Sequence, residues 1–202
     1  MKILKANCQQ EEDEMNLWRN MLEGNAACYE QLINKTYNLL FQYGCRFSSD
    51  REMLKDCIQD VFLEIWEKRK VLNQHIPPRA YLLASLRRRI HRVAQQSRFQ
   101  TTENFEKSIS DFNVECSAEH LFIQSEQDQQ LAERITFLLN ELPKRQQEAI
   151  FLRFFNDLER DQIADIMDIH PQSVSNLLQS AFRTIKIHWK IIVSLLYLPG
   201  FE

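Results

Sequence analysis

The spacing of apolar residues between Leu142 and Lys186 leaves few folds open to this chain. Leu142-Pro143 closes one helix and opens another, because Pro suits a first helical turn, where its missing N–H is no loss. Ala149, Ile150, Leu152 and Phe155 then recur at helical intervals, followed by a polar break at Asn156-Asp157. Ile163, Ala164, Ile166 and Met167 mark the next helix, which ends at a tight corner, Asp168-Ile169-His170-Pro171. Val174, Leu177, Leu178 and Phe182 form the apolar stripe of another helix. Small Ala164 lets two helices approach closely, and Val174 and Leu177 lock the second against the first. Asp168 falls where the corner calls for a left-handed backbone, which Asp tolerates better than most side chains. A plain three-helix bundle shares this periodicity. The corner, the small residue and the polar outer face favour a helix-turn-helix that reads DNA.

The rest of the chain is also helical in pattern. Only 3 Gly and 5 Pro among 202 residues, with few β-branched runs, predict an all-α protein. The N-terminal half reads as helices broken at Gly24-Asn25, Ser48-Ser49-Asp50 and His75-Ile76-Pro77-Pro78. Met15, Leu17, Trp18, Met21 and Leu22 define the first. Tyr29, Leu32, Ile33, Tyr37, Leu40, Phe41 and Tyr43 define the second. Leu54, Cys57, Ile58, Val61, Phe62, Ile65 and Trp66 define a third with regular three-four spacing. An arginine-rich helix runs from Pro77-Pro78 to about Gln96. Residues 99–127 break the pattern: they are Ser/Thr-rich and carry Glu103, Glu106, Asp111, Glu115, Glu119 and Glu126 against Lys107. Such a stretch predicts a flexible linker. Leu131, Ile135, Leu138, Leu139 and Leu142 then lead into the helix-turn-helix. The expected architecture is two small helical domains, 12–98 and 128–190, joined by an acidic flexible linker at 99–127 and followed by an apolar tail at 191–202. The tail is expected to pack on the C-terminal domain. Docking of an inhibitory partner is the other reading of so apolar an end.

Charge distribution carries more than the total. A net charge of −3 argues against a general nucleic-acid binder, yet Arg79 to Arg98 holds six arginines and no acid. That is a local electrostatic footprint in an acidic protein. No apolar core of a targeting peptide stands at the N-terminus, and the stretch Ile187–Leu198, interrupted by His188, Lys190 and Ser194, is too short to span a bilayer. Five scattered cysteines (Cys8, Cys28, Cys45, Cys57, Cys116) form no CxxC pair, which predicts reduced thiols and a cytoplasmic protein. Cys28, Cys45 and Cys57 read as small core hydrophobes. Catalysis is poorly supported. Three glycines form no phosphate loop, and His75, His91, His120, His170 and His188 lack partners at metal or triad spacing. No metal, cofactor, small-molecule substrate or enzymatic activity is expected.

The third helix has a second face. Asp56, Gln59, Asp60 and Leu63 fall at i, i+3, i+4 and i+7, away from the core stripe. A solvated face does not need a Leu. Acidic and amide groups beside an exposed apolar residue suit a basic protein surface, an ordinary acidic exterior being the plainer reading.

Three segments, taken together, resemble a known family. Asp56-Cys57-Ile58-Gln59-Asp60-Val61-Phe62-Leu63-Glu64-Ile65-Trp66 resembles the core-polymerase-binding helix of bacterial sigma factors. Ala80-Tyr81-Leu82-Leu83, opening an arginine-rich helix, resembles their promoter-melting segment. Leu142-Pro143, Ile163-Ala164-Asp165-Ile166-Met167, Pro171-Gln172-Ser173-Val174 and Ala181-Phe182 resemble their C-terminal DNA-binding domain. The layout without a large middle domain is similar to the extracytoplasmic-function group. The resemblance implies a sigma region 2 at 12–98 and a region 4 at 128–190. Asp56, Gln59, Asp60 and Leu63, with Trp66 behind them, would dock core RNA polymerase. Loop Val71–Pro78, through Asn73 and Gln74, would hold a base flipped from the minus-10 element, whose lost pairing and stacking a polar pocket must replace. Arg87, Arg88 and Arg92 would hold phosphates of the opening strand, with Tyr81 stacking or packing beside them. Gln172, Ser173, Ser175, Asn176 and Gln179 would face minus-35 bases, and Arg153, Arg160 and Arg183 its phosphates. The acidic linker would thread the polymerase cleft. Partners implied are core RNA polymerase, promoter DNA and an anti-sigma protein, the free chain being monomeric. Arg88 and Arg92 stand where the family has Asn and Asp, Asp168 where it has Gly, and His170 where Ser caps the recognition helix. Acids and bases balance from Glu159 to Lys190, so weak promoter binding is expected without polymerase. Two other readings stay open: a conventional dimeric helix-turn-helix regulator, and a degenerate relative that binds polymerase without starting transcription.

Overall fold

The computed structural model describes residues 2–100, Phe112 and 135–196, with side chains placed over 12–96, at Phe112 and over 135–187. Among them are helices and connecting turns and no strand. The chain divides into two compact units, Asp111 ending the first stretch and Phe112 opening the second.

Four helices build the N-terminal unit: α1 (Lys2–Leu22), α2 (Ala26–Gly44), α3 (Arg51–Lys68) and α4 (Pro78–Gln100). Their boundaries follow the expected breaks for local reasons. Gly24 takes φ +98°, open to a residue without Cβ, and Asn25 then caps α2 by accepting from the Ala27 and Cys28 N–H groups at 3.0 and 3.2 Å. Asp50 caps α3 through the Met53 N–H at 3.0 Å. Pro78 opens α4, where it forfeits no hydrogen bond. Two elements are longer than the periodicity suggested: α1 takes in the acidic run Glu11–Glu14, and α4 continues to Gln100. Helix α2 packs on α1, α3 and α4, and α4 also on α1 and α3. Trp18, Met21, Leu32, Leu40, Leu54, Ile58, Leu82, Leu86 and Ile90 are fully buried between them. Each such side chain contributes about 1.5–3 kcal/mol by leaving water. Helices α2 and α3 meet closely, since a Cβ on Gly44 would lie 3.0 Å from the Leu54 Cδ2. Cys57 is buried as expected, Cys28 partly so, but Cys45 is exposed just past the end of α2.

The described residues of the C-terminal unit include helical residues 135–140 (α5), α6 (Lys144–Ile150), a π-helical turn at Phe151–Phe155, α7 (Arg160–Met167) and α8 (Pro171–Leu196). Pro143 stands one residue ahead of the first turn of α6, with φ −54° and ψ 142°, rather than inside it. Buried Gln147 ties that corner together: its Nε2 donates to the Asn140 and Leu142 carbonyls at 3.0 and 2.8 Å. Glu159 and Gln162 cap α7 reciprocally, with Gln162 Oε1 accepting from the Glu159 N–H at 2.8 Å. Asp168 has φ 53° and ψ 55°, the left-handed corner expected of it, and the Ile169 N–H returns to the Ala164 carbonyl at 3.0 Å. Val174 and Ala181 fill the inner side of α8, whereas Phe182, expected in that stripe, is half exposed. Phe112, within the stretch read as linker, is buried with its ring 5.7 Å from Phe151 and nearly edge-on, at 67°. The remaining linker residues 101–111 and 113–127, Cys8, Cys116, and the packing of the apolar tail lie outside the described residues or side chains.

Candidate nucleic-acid interface

Helix α3 offers the expected second face. Asp56, Gln59 and Leu63 are exposed, Leu63 to 50% of its surface. Asp60 is only partly exposed because its carboxylate pairs with the Arg89 guanidinium of α4. Trp66 is a support behind this face. Its ring lies 4.7 Å from Tyr29, with the Arg69 guanidinium carbon 4.4 Å from its centroid, and the Tyr29 hydroxyl donates to the Phe62 carbonyl at 2.9 Å. Beneath, burial pushes the Cys57 thiol up to about 11; Arg89 opposes that rise, while Asp60 and Asp56 add to it. The Glu64 carboxyl is held below its usual range by a hydrogen bond from Lys68, against desolvation, with further help from Arg89 and Arg92. The acidic edge of α3 therefore adjoins the arginine row of α4.

That row is not uniformly free. Arg79 pairs at 2.7 Å with Glu14, a carboxylate only 2% exposed, and Arg89 is committed to Asp60. Arg88 and Arg92 are exposed, Arg88 donating to the Ser85 hydroxyl at 3.2 Å, and Arg87 is partly exposed. At least two cations of the basic segment, Arg79 and Arg89, are thus engaged by acids of the same unit, which a charge count along the sequence cannot show. Tyr81 is partly buried and packs 5.6 Å from Trp18 with planes at 54°, so it serves the core. Ahead of α4, Asn73, Gln74 and His75 are exposed on the 69–77 turn, next to Val71 at 82%. Asn73 is braced twice: its carbonyl accepts from Trp18 Nε1 at 3.1 Å, and its Oδ1 accepts from the His75 N–H at 2.9 Å.

In the C-terminal unit, Gln172, Ser173, Asn176, Gln179 and Arg183 are exposed along α8, and Ser175 is partly buried. Gln172 Nε2 donates to Asn176 Oδ1 at 3.2 Å, which aligns two amides one turn apart. His170 supplies the missing cap, its Nδ1 accepting from the Gln172 N–H at 3.2 Å. Arg160 is exposed beside Asp161. Arg153 is turned onto its own loop, donating to the Leu158 carbonyl at 2.8 Å and facing Glu159 at 3.3 Å. Sequence reasoning missed an aromatic pair: Phe154 and Phe182 stand edge to face at 5.5 Å and 85°, both largely exposed. Among the described residues no group of His, Cys, Asp and Glu could hold a metal ion, and no helix is long and apolar enough to cross a membrane.

Known proteins share this fold. Residues 32–99 match sigma-70 region 2, and residues 132–185 match sigma-70 region 4. Among solved structures, CnrH in complex with the cytosolic domain of CnrY aligns at a TM-score of 0.59, covering 89% of this chain and 98% of that one at 15% identity. The sigma factor RpoE in complex with the anti-sigma factor NepR from Bartonella quintana aligns at 0.52, covering 81% and 97% at 19% identity. At those identities the shared property is the fold. No curated protein matches the sequence.

Proposed function

Because this chain belongs to the sigma-70 family, in the two-region build of its extracytoplasmic-function group, we propose that it binds core RNA polymerase and directs it to specific promoters. The observation that carries this reading is the coexistence, in one chain, of a solvent-open Asp56/Gln59/Leu63 face and a helix-turn-helix presenting aligned amides. The family works as a non-catalytic initiation factor, so the chemistry required here is recognition alone.

Leu63 is the anchor of the polymerase contact, with Asp56, Gln59 and Asp60 as its polar surround and Trp66 holding the helix in register. Asp60 reaches polymerase only at the expense of its Arg89 pair. The Asn73-Gln74 turn receives a flipped minus-10 base, and Arg87, Arg88 and Arg92 hold phosphates of the parted strand. Gln172, Ser173, Asn176 and Gln179 read minus-35 base edges; amides pair two-pronged with adenine in the major groove. Arg183 and Arg160 hold phosphate there, while Arg153 and Ser175 act through the local backbone. An anti-sigma protein is the regulatory partner, by analogy with RpoE, solved in complex with the anti-sigma factor NepR.

Run-off transcription with purified core enzyme tests the proposal. The chain should support specific initiation, and Gln59→Ala with Leu63→Ala should weaken association with core by about tenfold or more, as loss of an interface anchor does. Polymerase binding without initiation would instead identify a degenerate relative, the reading that exposed Arg88 and Arg92 favour over a conventional regulator. Absence of core binding would overturn both.

A further inference from the structure

Helix α1 lies outside both functional faces, yet two of its side chains tie down the turn that follows α3. Glu14 and Trp18 are one turn apart, at i and i+4, and so share a side of the helix. Trp18 is fully buried, and its indole N–H, a donor that must find a partner when buried, reaches the Asn73 carbonyl at 3.1 Å. The indole also packs on Tyr81 of α4. Glu14 pairs with Arg79 at 2.7 Å, immediately after Pro77-Pro78. The upstream end of the turn is fixed separately, by Arg69 Nη1 donating to the Trp66 carbonyl at 2.6 Å. With its carbonyl accepting from Trp18 and, at 3.3 Å, from the Ile76 N–H, and its Oδ1 closing an Asx-type turn on the His75 N–H, Asn73 keeps its Nδ2 donors for a ligand. Gln74 and His75 stand exposed beside it.

We propose that α1 is a splint for this turn, and that Trp18 is a positioning residue for capture of an unpaired promoter base by Asn73, Gln74 and His75. The inference rests on the proposed function and adds to it. An exposed turn bearing Val71, Asn73, Gln74 and His75 would otherwise sample many backbone conformations, and ordering it on binding would erode base affinity. A carbonyl pinned from the buried side removes that loss without placing Trp18 near the nucleic acid.

The test is a double-mutant cycle on holoenzyme assembled from core polymerase and the full chain. The probe is the single-stranded minus-10 fragment of a promoter mapped by run-off transcription, intact or with one abasic site at each position in turn. Trp18→Phe keeps a buried ring against Tyr81 and deletes the N–H together with part of the ring bulk, a loss of packing that by itself would not distinguish intact from abasic fragments. With wild-type protein, one abasic position should cost about tenfold or more in affinity. With Trp18→Phe, the intact fragment should bind about threefold to tenfold more weakly, the worth of one hydrogen bond, and the abasic penalty should shrink correspondingly. Core association should be unchanged. Glu14→Gln, which leaves the indole in place, should shift the abasic penalty in the same direction. Equal weakening of intact and abasic fragments by both variants would overturn the proposal, as would an unaltered penalty. A wild-type protein indifferent to every abasic site would overturn base capture by this turn as well, and loss of core binding by wild type would overturn the functional reading beneath it.

Discussion

Asp168 holds the helix-turn-helix corner at φ 53° and ψ 55°. A non-glycine residue pays roughly 1–2 kcal/mol there, less for Asp than for most. Asp168→Gly is therefore expected to raise stability by up to about 1 kcal/mol, and Asp168→Val to lower it by about 1–2 kcal/mol. Urea midpoints measure both. The need for a left-handed residue was legible in the sequence because Asp168 opens the short corner Asp168-Ile169-His170-Pro171 between two apolar helical runs. The cap at His170 was not legible: an imidazole replaces the usual hydroxyl, and its Nδ1 geometry depends on Pro171 presetting the first turn of α8. Cys57 gives a pH signature at the same scale. Its folded pKa, about 11, lies above the ordinary thiol value, so the folded chain keeps a proton that the unfolded chain releases. The stability from this difference is full below about pH 8.5 and is lost as pH rises towards 11, at no more than roughly 1.4 kcal/mol per pH unit. Cys57→Ala should flatten that alkaline slope in urea midpoints measured from pH 8 to 11, which an unchanged slope would refute.

At the scale of elements, α3 illustrates both what periodicity reveals and what it hides. Its core stripe, Leu54, Cys57, Ile58, Val61, Phe62 and Ile65, is buried as three-four spacing requires. Its outer face was legible for the same reason, since a Leu outside the stripe has no local explanation. The pairing of Asp60 with Arg89 spans 29 residues and that of Glu14 with Arg79 spans 65, and no local pattern encodes either. Sign and position could be read along the chain; partners could not. The two pairs also differ in kind. Asp60 and Arg89 remain partly exposed, so a double-mutant cycle with alanines should show a coupling of about 1 kcal/mol or less in thermal denaturation. Glu14 is buried, and Arg79→Ala, which removes that carboxylate's guanidinium partner, should cost more, about 1–3 kcal/mol.

For the whole molecule, a net charge of −3 is set against a basic row whose open members, among the described residues, are Arg88 and Arg92, with Arg87 partly exposed. In the C-terminal unit the exposed Arg160 and Arg183 are offset by exposed Asp161, Asp165 and Asp168, so the attraction to duplex DNA is weak. A gel shift with isolated protein should show weak binding with little sequence preference, specificity emerging only in the proposed polymerase complex. Tight, specific binding by the free chain would contradict this. Within that complex, each of Arg88→Ala and Arg92→Ala should lower the slope of log affinity against log salt by roughly 0.7 to 0.9 if it contacts one phosphate. The all-α character and the breaks between helices followed from scarce Gly and Pro placed at the ends of apolar runs. The burial of Phe112 did not, because one aromatic in a polar, acidic stretch carries no periodicity to mark it.

The π-helical turn at Phe151–Phe155 amounts to one surplus residue wound into what would otherwise be a continuous α-helix from Lys144. A chain shortened by one residue within that turn could rewind regularly, as few interior deletions in a helix can. The widened turn would close to regular winding, and the side chains within it would turn relative to the helix on either side. Phe154 would leave its edge-on seat against Phe182, and Arg153 would lose the Leu158 carbonyl. The surplus residue is thus what aims both side chains, and its removal should leave a helical, folded protein with its outer aromatic ridge dismantled.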